Sequence, residues 1–259
     1  MHEIPPEGFA EFLPWLSDLP INELFARSVL RGRVRGQAWV DRRDDPRLLH
    51  ILHPYGMSLL VGQVSPQTLP ALVEHLLGRE QWLQLWPATG AEPLIEALVT
   101  ASAGKVQRFV RSNFRFDAKA HRARRLELEA PSGVGLVRMD GGHFAELELS
   151  VSPRAFWRDA AHFEHEGLGF CATENGEPSA AAFSAFLIDA QLEIGIETRP
   201  ARRGRGHALW AACALIEECE RRNLLPVWSC RRENTASWKL AQKLGFVPTL
   251  ELPYLRVSA

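Results

Sequence analysis

The segment from Glu193 to Phe246 constrains this chain more than any other. It reads Glu-Ile-Gly-Ile-Glu-Thr-Arg-Pro-Ala-Arg-Arg-Gly-Arg-Gly-His-Ala, continues through a long helical pattern, and closes on Asn-Thr-Ala-Ser-Trp-Lys-Leu-Ala-Gln-Lys-Leu-Gly-Phe. A strand delivers the chain to a glycine-rich turn, and the turn opens a helix. Glycines take positive φ without strain and let a ligand approach the backbone closely. The first turn of a helix offers N–H donors with no intrahelical partner and the positive end of a dipole. Arg202, Arg203 and Arg205 add charge at the same place. The pattern reads as an anion site with a diphosphate as its natural guest, or else as a tight strand-to-helix turn with solvated arginines. The Walker loop is excluded because no Gly-Lys-Ser/Thr follows. The dinucleotide pattern is excluded because the position three beyond Gly206 is Leu209.

The helix after the turn is well specified. Leu209, Ala212, Cys213, Ile216 and Cys219 make one apolar stripe. Glu217–Arg221 and Glu218–Arg222 are expected i, i+4 pairs on its other face. Pro226–Cys230 reads as an apolar strand, Asn234 as the cap of a last helix, and Gly245 as its left-handed stop. Phe246–Val247 resumes as a strand, and Leu252–Val257 reads as a further one.

Upstream, Met1–Pro20 is proline-rich and reads as an irregular lead-in. Asn22–Val29 has helical spacing with Asn22 as cap. Ala38–Asp41, Leu48–His53, Ser58–Val64 and Gln81–Trp86 read as strands. Pro66–Gly78 and Glu92–Ala101 read as helices. Asp117–Arg125 is polar and charged, a linker or surface connection. Leu126–Glu129 and Gly133–Met139 read as strands, Gly141–Gly142 as a turn, and Ala155–His165 as a helix. Gly169–Thr173, Ser179–Asp189 and Gln191–Thr198 then form a meander, with Asn175-Gly176 at its first hairpin. The fold class is α/β of the α+β type. The expected domains are 1–125, α/β, and 126–259, which carries the anion site.

Composition narrows the class. With 259 residues, 46% of them hydrophobic, the chain can bury a large core. A net charge of −1 argues against nucleic acid or an anionic membrane surface as partner. No signal-peptide pattern opens the sequence, and its longest apolar run, Ala180–Ile188, is about half of what a membrane span requires. A cytoplasmic protein is expected, as monomer or homodimer. Cys171, Cys213, Cys219 and Cys230 lack metal or redox spacing and read as buried core residues. His162 and His165 with Glu164 and Glu166 have no evident third ligand group, so no metal is expected. His50 and His53 sit in an apolar stretch and read as core or turn histidines.

The order of strand, Arg-x-x-Gly-x-Ala turn (Arg203, Gly206, Ala208), long helix, strand, Asn-capped helix and Leu-Gly-Phe resembles the GNAT family of acyl-CoA-dependent N-acyltransferases. The match covers roughly 155–257 and is most specific in Glu193–Phe246. It also resembles a bacterial subgroup with an extra N-terminal region. The resemblance implies a central, mixed and mostly antiparallel sheet flanked by helices. For residues 1–125 it leaves two readings: a degenerate GNAT-like half without the glycine turn, or a separate α/β cap.

It also implies acetyl-CoA as donor. Arg203, Gly204, Arg205, Gly206, His207 and Ala208 would hold the CoA diphosphate. Ile196, Glu197 and Thr198 would line the pantetheine arm in a gap between the central strand and Pro226–Cys230. Asn234 and Ser237 would reach the cofactor from the following helix. The implied reaction is direct attack by a primary amine of a small molecule, antibiotic or peptide. Glu193 is then the candidate base, and Glu197 the alternative, or an organiser of Arg202 or Arg203. Many family members carry a tyrosine acid seven residues after the asparagine; here that position is Ala241. Tyr254 is the candidate substitute, with Ser237, a water or no acid as alternatives. A non-catalytic acyl-CoA sensor or scaffold is the competing function.

Overall fold

The computed structural model describes residues 1–146 and 150–258. Packing divides the chain into two compact units. Unit 1 comprises Met1–Ser112, Arg231–Glu233 and the chain from Leu250 on; unit 2 comprises Asn113–Cys230 and Asn234–Thr249.

Unit 1 begins with a short strand, β1 (His2–Glu3), and a 3-10 segment, Pro6–Leu16, which replaces the irregular lead-in expected there. Proline suits such a segment, because its φ is preset and its first positions need no N–H donor. Helix α1 (Leu24–Leu30) follows, with Asn22 Oδ1 accepting the Leu24 N–H at 3.3 Å. Then come β2 (Gln37–Val40), β3 (Leu48–Leu52), β4 (Met57–Gly62), α2 (Leu69–Leu77), β5 (Gln81–Trp86), α3 (Glu92–Ala101) and the first part of β6 (Val106–Phe116). Helix α2 starts at Leu69, the first residue of its apolar spacing, and not at Pro66. Ser65 and Thr68 bind each other's N–H groups at 3.2 Å, and this closed turn occupies the approach. Strands β2, β3 and β4 form an antiparallel meander, whereas β4 and β5 run parallel from Met57↔Trp82 to Val61↔Trp86. Leu48, Leu60, Leu83, Leu85, Leu255 and Val257 form one sheet face and pack on Leu72 and Leu76 of α2 and Leu94, Ile95 and Leu98 of α3.

Unit 2 opens with α4 (Ala118–Leu126), where the sequence suggested a linker. Asp117 caps it through its side chain, accepting the Ala120 N–H at 2.9 Å. The helix is amphipathic in charge: His121 is buried and bonds Leu244 O at 2.8 Å, while the arginines face outward. The strand expected at Leu126–Glu129 is therefore not formed; Leu126 is the exposed last residue of α4. Next are β7 (Val134–Arg138), α5 (Gly141–Glu146) and a 3-10 turn, Pro153–Ala155. Gly141–Gly142 thus opens a helix rather than making an isolated turn. Helix α6 (Ala160–Glu166) starts late because Asp159 caps it, accepting the His162 N–H at 2.7 Å.

The meander follows as expected: β8 (Gly169–Glu174), β9 (Glu177–Ile188) and β10 (Gln191–Thr198). After a 3-10 turn at Pro200–Arg202 come α7 (His207–Arg221), β11 (Leu225–Val227), β12 (Ser229–Arg231), α8 (Thr235–Lys243) and β13 (Phe246–Val257), one continuous strand. The five-stranded sheet has the order β11-β10-β9-β8-β7, antiparallel except for β10 with β11. Leu192 and Ile194 meet the stripe of α7: Ala211, Ala212, Leu215, Ile216 and Cys219.

One charge pair is exchanged. Arg222 bonds Glu218 at 2.5 Å as expected, but Glu217 pairs with Arg125 at 2.6 Å, and Arg221 turns to Glu218. Helix α4 supplies a closer cation than the i+4 neighbour. The two halves of the chain share an element order, three-strand meander, helix, parallel strand, helix and long strand, with β12 interposed before α8 in the second. The mixed, mostly antiparallel sheet architecture expected from the sequence is what the structure shows.

Candidate functional site

The site is built from the carboxyl end of β10, the turn after it, and the two strands that follow α7. Strand β10 pairs with β11 over three residues only, Gln191–Glu193 against Leu225–Val227. The apolar run read as one strand, Pro226–Cys230, is two. Between β11 and β12, the Trp228 side chain is buried in the core of unit 2 while its carbonyl accepts the Phe114 N–H at 3.2 Å. The chain thereby leaves β10. Beyond Glu193, among the described residues, no strand pairs with the far edge of β10. At the same point β9 carries a bulge: Glu193 faces Phe186, but Ile194 faces Ser184. Beside the bulge, the Trp157 indole N–H donates to Ser184 O at 2.6 Å. The far edge of Ile194–Glu197 therefore presents backbone N–H and C=O groups that no strand pairs among the described residues, and an extended amide-bearing ligand can pair them as an added strand.

The residues of β10 divide by face. Leu192, Ile194 and Ile196 point toward α7. Glu193, Gly195 and Glu197 take the other face. Gly195 is required there: a Cβ would lie 2.7 Å from the Phe183 ring across the ladder. Glu193 is 6% exposed, and Ser229 Oγ donates to its Oε1 at 3.3 Å. Glu197 accepts from Arg203 Nη2 at 3.1 Å, from Ser150 Oγ at 2.5 Å and from the Thr198 N–H at 3.2 Å. Of the two carboxylates, Glu197 is thus engaged in fixing the turn.

In the turn, Gly204 has φ +79° and Gly206 φ +85°, both in the left-handed region that favours glycine. Gly206 is the N-cap of α7, His207 its buried first residue, and Ala208 its second. The first N–H groups of the helix are left for a ligand. Arg203 Nε also donates to Thr198 O at 3.3 Å. Arg202 pairs with Glu174 Oε2, and Arg205 with Glu174 Oε1 at 3.5 Å. Asn234 Oδ1 caps α8 by accepting the Ser237 N–H at 3.2 Å, and the Trp228 indole N–H donates to Ser237 Oγ at 3.3 Å.

Unit 2 thus carries Glu193, Ile196, Glu197, Thr198, the turn from Arg203 to Ala208, Asn234 and Ser237. Tyr254 belongs to unit 1. It pairs with Gln84 in the sheet, stacks on Trp82 at 5.2 Å and lies under the Arg111 guanidinium at 5.0 Å. Two residues escaped the sequence reading. Ser229 and Glu174 carry no motif; the start of β12 after the break at Trp228 sets Ser229 beside Glu193, and the register of β8, β9 and β10 brings Glu174 to the turn. All four cysteines are buried, and burial pushes the Cys171 and Cys213 thiols up to about 11 and Cys219 to about 12, which leaves them unreactive. Among the described residues no group of three or more metal-ligating side chains forms, and no helix is long and apolar enough to cross a membrane.

Known structures share this fold. A GCN5-related N-acetyltransferase-like protein from Streptococcus suis shares 22% identity over 97% of this chain and 99% of its own, with a TM-score of 0.77. A tandem GNAT protein from the clavulanic acid biosynthesis pathway shares 14% over 100% and 98%, with a TM-score of 0.58. A GCN5-related N-acetyltransferase from Kribbella flavida shares 16% over 93% and 97%, with a TM-score of 0.56. At these identities the likeness is one of fold. No curated protein matches the chain. The sequence model of the GNAT acetyltransferase family matches residues 20–254, and with nine-tenths of its length so covered the chain belongs to that family.

Proposed function

We propose that the protein is an N-acetyltransferase that takes its acyl group from acetyl-CoA and delivers it to a primary amine of a small molecule, antibiotic or peptide. The observation that carries this reading is the parting of β10 from β11 after Glu193, directly before a turn with two left-handed glycines. The backbone around Gly204, Gly206 and Ala208 would hold the CoA diphosphate, and the far edge of Ile194–Glu197 the pantetheine amides. Asn234, its oxygen committed to the cap, has its amide N–H groups to offer. Bound there, acetyl-CoA supplies a thioester activated toward amine attack.

The protein's own part is proton transfer and charge stabilisation. An ammonium acceptor must lose a proton before it can attack, and Glu193 is the base in this reading, held by Ser229. The N–H of Ile196 is the donor toward the developing oxyanion. Tyr254 is the candidate acid, since Ala241, fully buried in the core, replaces the family's usual tyrosine. In the proposed division, residues 126–259 bind and react, while residues 1–125 are a GNAT-like half without a CoA turn. The repeated element order supports that reading. The cytoplasm is the proposed compartment, the protein acting there as monomer or homodimer.

Glu193→Gln should lower kcat by about a hundredfold, the lower range for a lost general base, with CoA affinity nearly unchanged. The acid limb of the pH–rate profile should vanish with it; a profile that keeps this limb removes Glu193 as base. Tyr254→Phe should slow thiol release several-fold if its hydroxyl is the acid, and unaltered release excludes it. A non-catalytic acyl-CoA-binding module is the second reading, favoured by Ala241. Acetyl-CoA binding without thiol release across a panel of amines would establish it.

A further inference from the structure

The arginines of the turn are already partnered by carboxylates, and the partners differ in kind. Arg203 pairs with Glu197, which is itself fixed by Ser150 and the Thr198 N–H. Arg202 and Arg205 share one carboxylate, Glu174. Glu174 ends β8. The register sets Ala172 opposite Ala180 and Ala180 opposite Thr198, so the end of β8 reaches the same end of the sheet as the turn. Among the described residues Glu174 has no polar side-chain partner besides these two arginines. The arginine side chains are 32% and 52% exposed and that of Glu174 is 19% exposed, so the contact is open to exchange with a ligand.

A carboxylate and a phosphate compete for the same guanidinium donors in the same geometry. From this arrangement we infer that Glu174 is an internal competitor for the anion site. It holds Arg202 and Arg205 while the turn is empty and yields them to a diphosphate. The inference rests on the CoA reading of the turn and makes Glu174 a specificity-determining residue. An anion of single charge gains little by displacing a carboxylate, whereas a diphosphate with at least two charges gains more. The site would thereby prefer CoA to donors that lack the diphosphate.

Calorimetric titration with CoA and with inorganic pyrophosphate tests this on three full-length proteins: the unaltered chain, Glu174→Gln and Glu177→Gln. Glu177 lies on the same hairpin, removes the same charge, and pairs with Arg199 at 3.5 Å, before the turn. Glu174→Gln should bind both probes about three- to fivefold more tightly, the scale of one exposed ion pair. Glu177→Gln should stay within about twofold of the unaltered chain, the spread expected for an ion pair that contributes little. Equal or weaker binding by Glu174→Gln overturns the inference, because the carboxylate would then be presenting the arginines to the ligand. An equal gain in Glu177→Gln overturns it too, as a general charge effect. If the unaltered chain binds neither probe, the CoA reading itself falls; if it binds both and Glu174→Gln gains nothing, only the role of Glu174 falls.

Discussion

Gly206→Glu should reduce CoA affinity by at least about a hundredfold, because two like charges about 4 Å apart near a protein surface repel by roughly 4 kcal/mol. Gly206 is the N-cap of α7 at φ +85°. A Cβ there would meet only Pro131 Cγ at 3.6 Å, an ordinary contact, so the change is accommodated sterically. The backbone cost of an L-residue in this conformation is about 1–2 kcal/mol. The added carboxylate would bond the helix N–H groups that the diphosphate needs and place its own charge where the phosphates belong. Titration calorimetry should show the loss of CoA binding, while a thermal melt shows a transition only a few degrees lower. Gly206→Ala separates the contributions: it shares the backbone strain but not the charge, and should retain most of the affinity. CoA affinity unchanged in Gly206→Glu would move the cofactor away from the turn.

What the sequence revealed here was local. The stripe of α7, the two glycines, the Asn234 cap and the left-handed Gly245 are each decided by residues within one or two turns of chain. The observed geometry follows them. What stayed hidden depends on partners distant in sequence. The stretch from Asp117 to Arg125 looks like a linker because its hydrophobicity is low. It is a helix because Asp117 caps it and because Arg122 and Arg125 meet Glu220 and Glu217 at 3.0 and 2.6 Å. Gly245 illustrates both kinds of information. Its positive φ was legible as a helix stop, but a Cβ there would also lie 2.7 Å from the His121 backbone N, a constraint that only the packing of α4 imposes. The break at Trp228 was equally hidden. An apolar run of five residues has no internal signal that its two ends serve different sheets, yet that break opens the edge of β10. Glu174 follows the same logic through the register of β8, β9 and β10, and Ser229 through the break that sets it beside Glu193.

Unit 1 should lose stability steeply as pH falls below about 6.5, independently of any ligand. Its interior holds a polar network. His50 Nε2 donates to Gln81 Oε1 at 2.9 Å, and His50 Nδ1 lies 3.0 Å from His75 Nε2. The direction of the first bond follows from the amide, because Gln81 Nε2 donates to Leu76 O at 2.8 Å and Ser58 Oγ donates to Gln81 Oε1 at 2.6 Å. His50 Nδ1 is then an acceptor, and a proton there would confront the His75 N–H. Trp39 stacks on His50 at 5.2 Å, and the Arg79 guanidinium lies 4.4 Å over Trp39, so among the described residues the surroundings offer aromatic faces and a cation and no carboxylate acts on the pair. Burial holds His50 down to about 3; burial, then His50 and Arg79, do the same for His75, and burial alone for His53. An unfolded histidine binds a proton below about 6.5. The native residues do not, so unfolding takes up protons and stability falls with pH over the window from 6.5 toward 3. Fully buried His50 contributes about 1.4 kcal/mol per pH unit within that window, or roughly 2 kcal/mol between pH 6.5 and 5. His75, only partly buried, contributes less. Urea unfolding followed by tryptophan fluorescence should show the midpoint dropping between pH 7.5 and 5. His50→Gln, which cannot titrate there, should flatten that dependence while lowering the midpoint at pH 7.5 through lost packing. A midpoint constant from pH 7.5 to 5 in the unaltered protein would mean that these histidines are hydrated or already charged in the native state, and the buried neutral network would have to be abandoned.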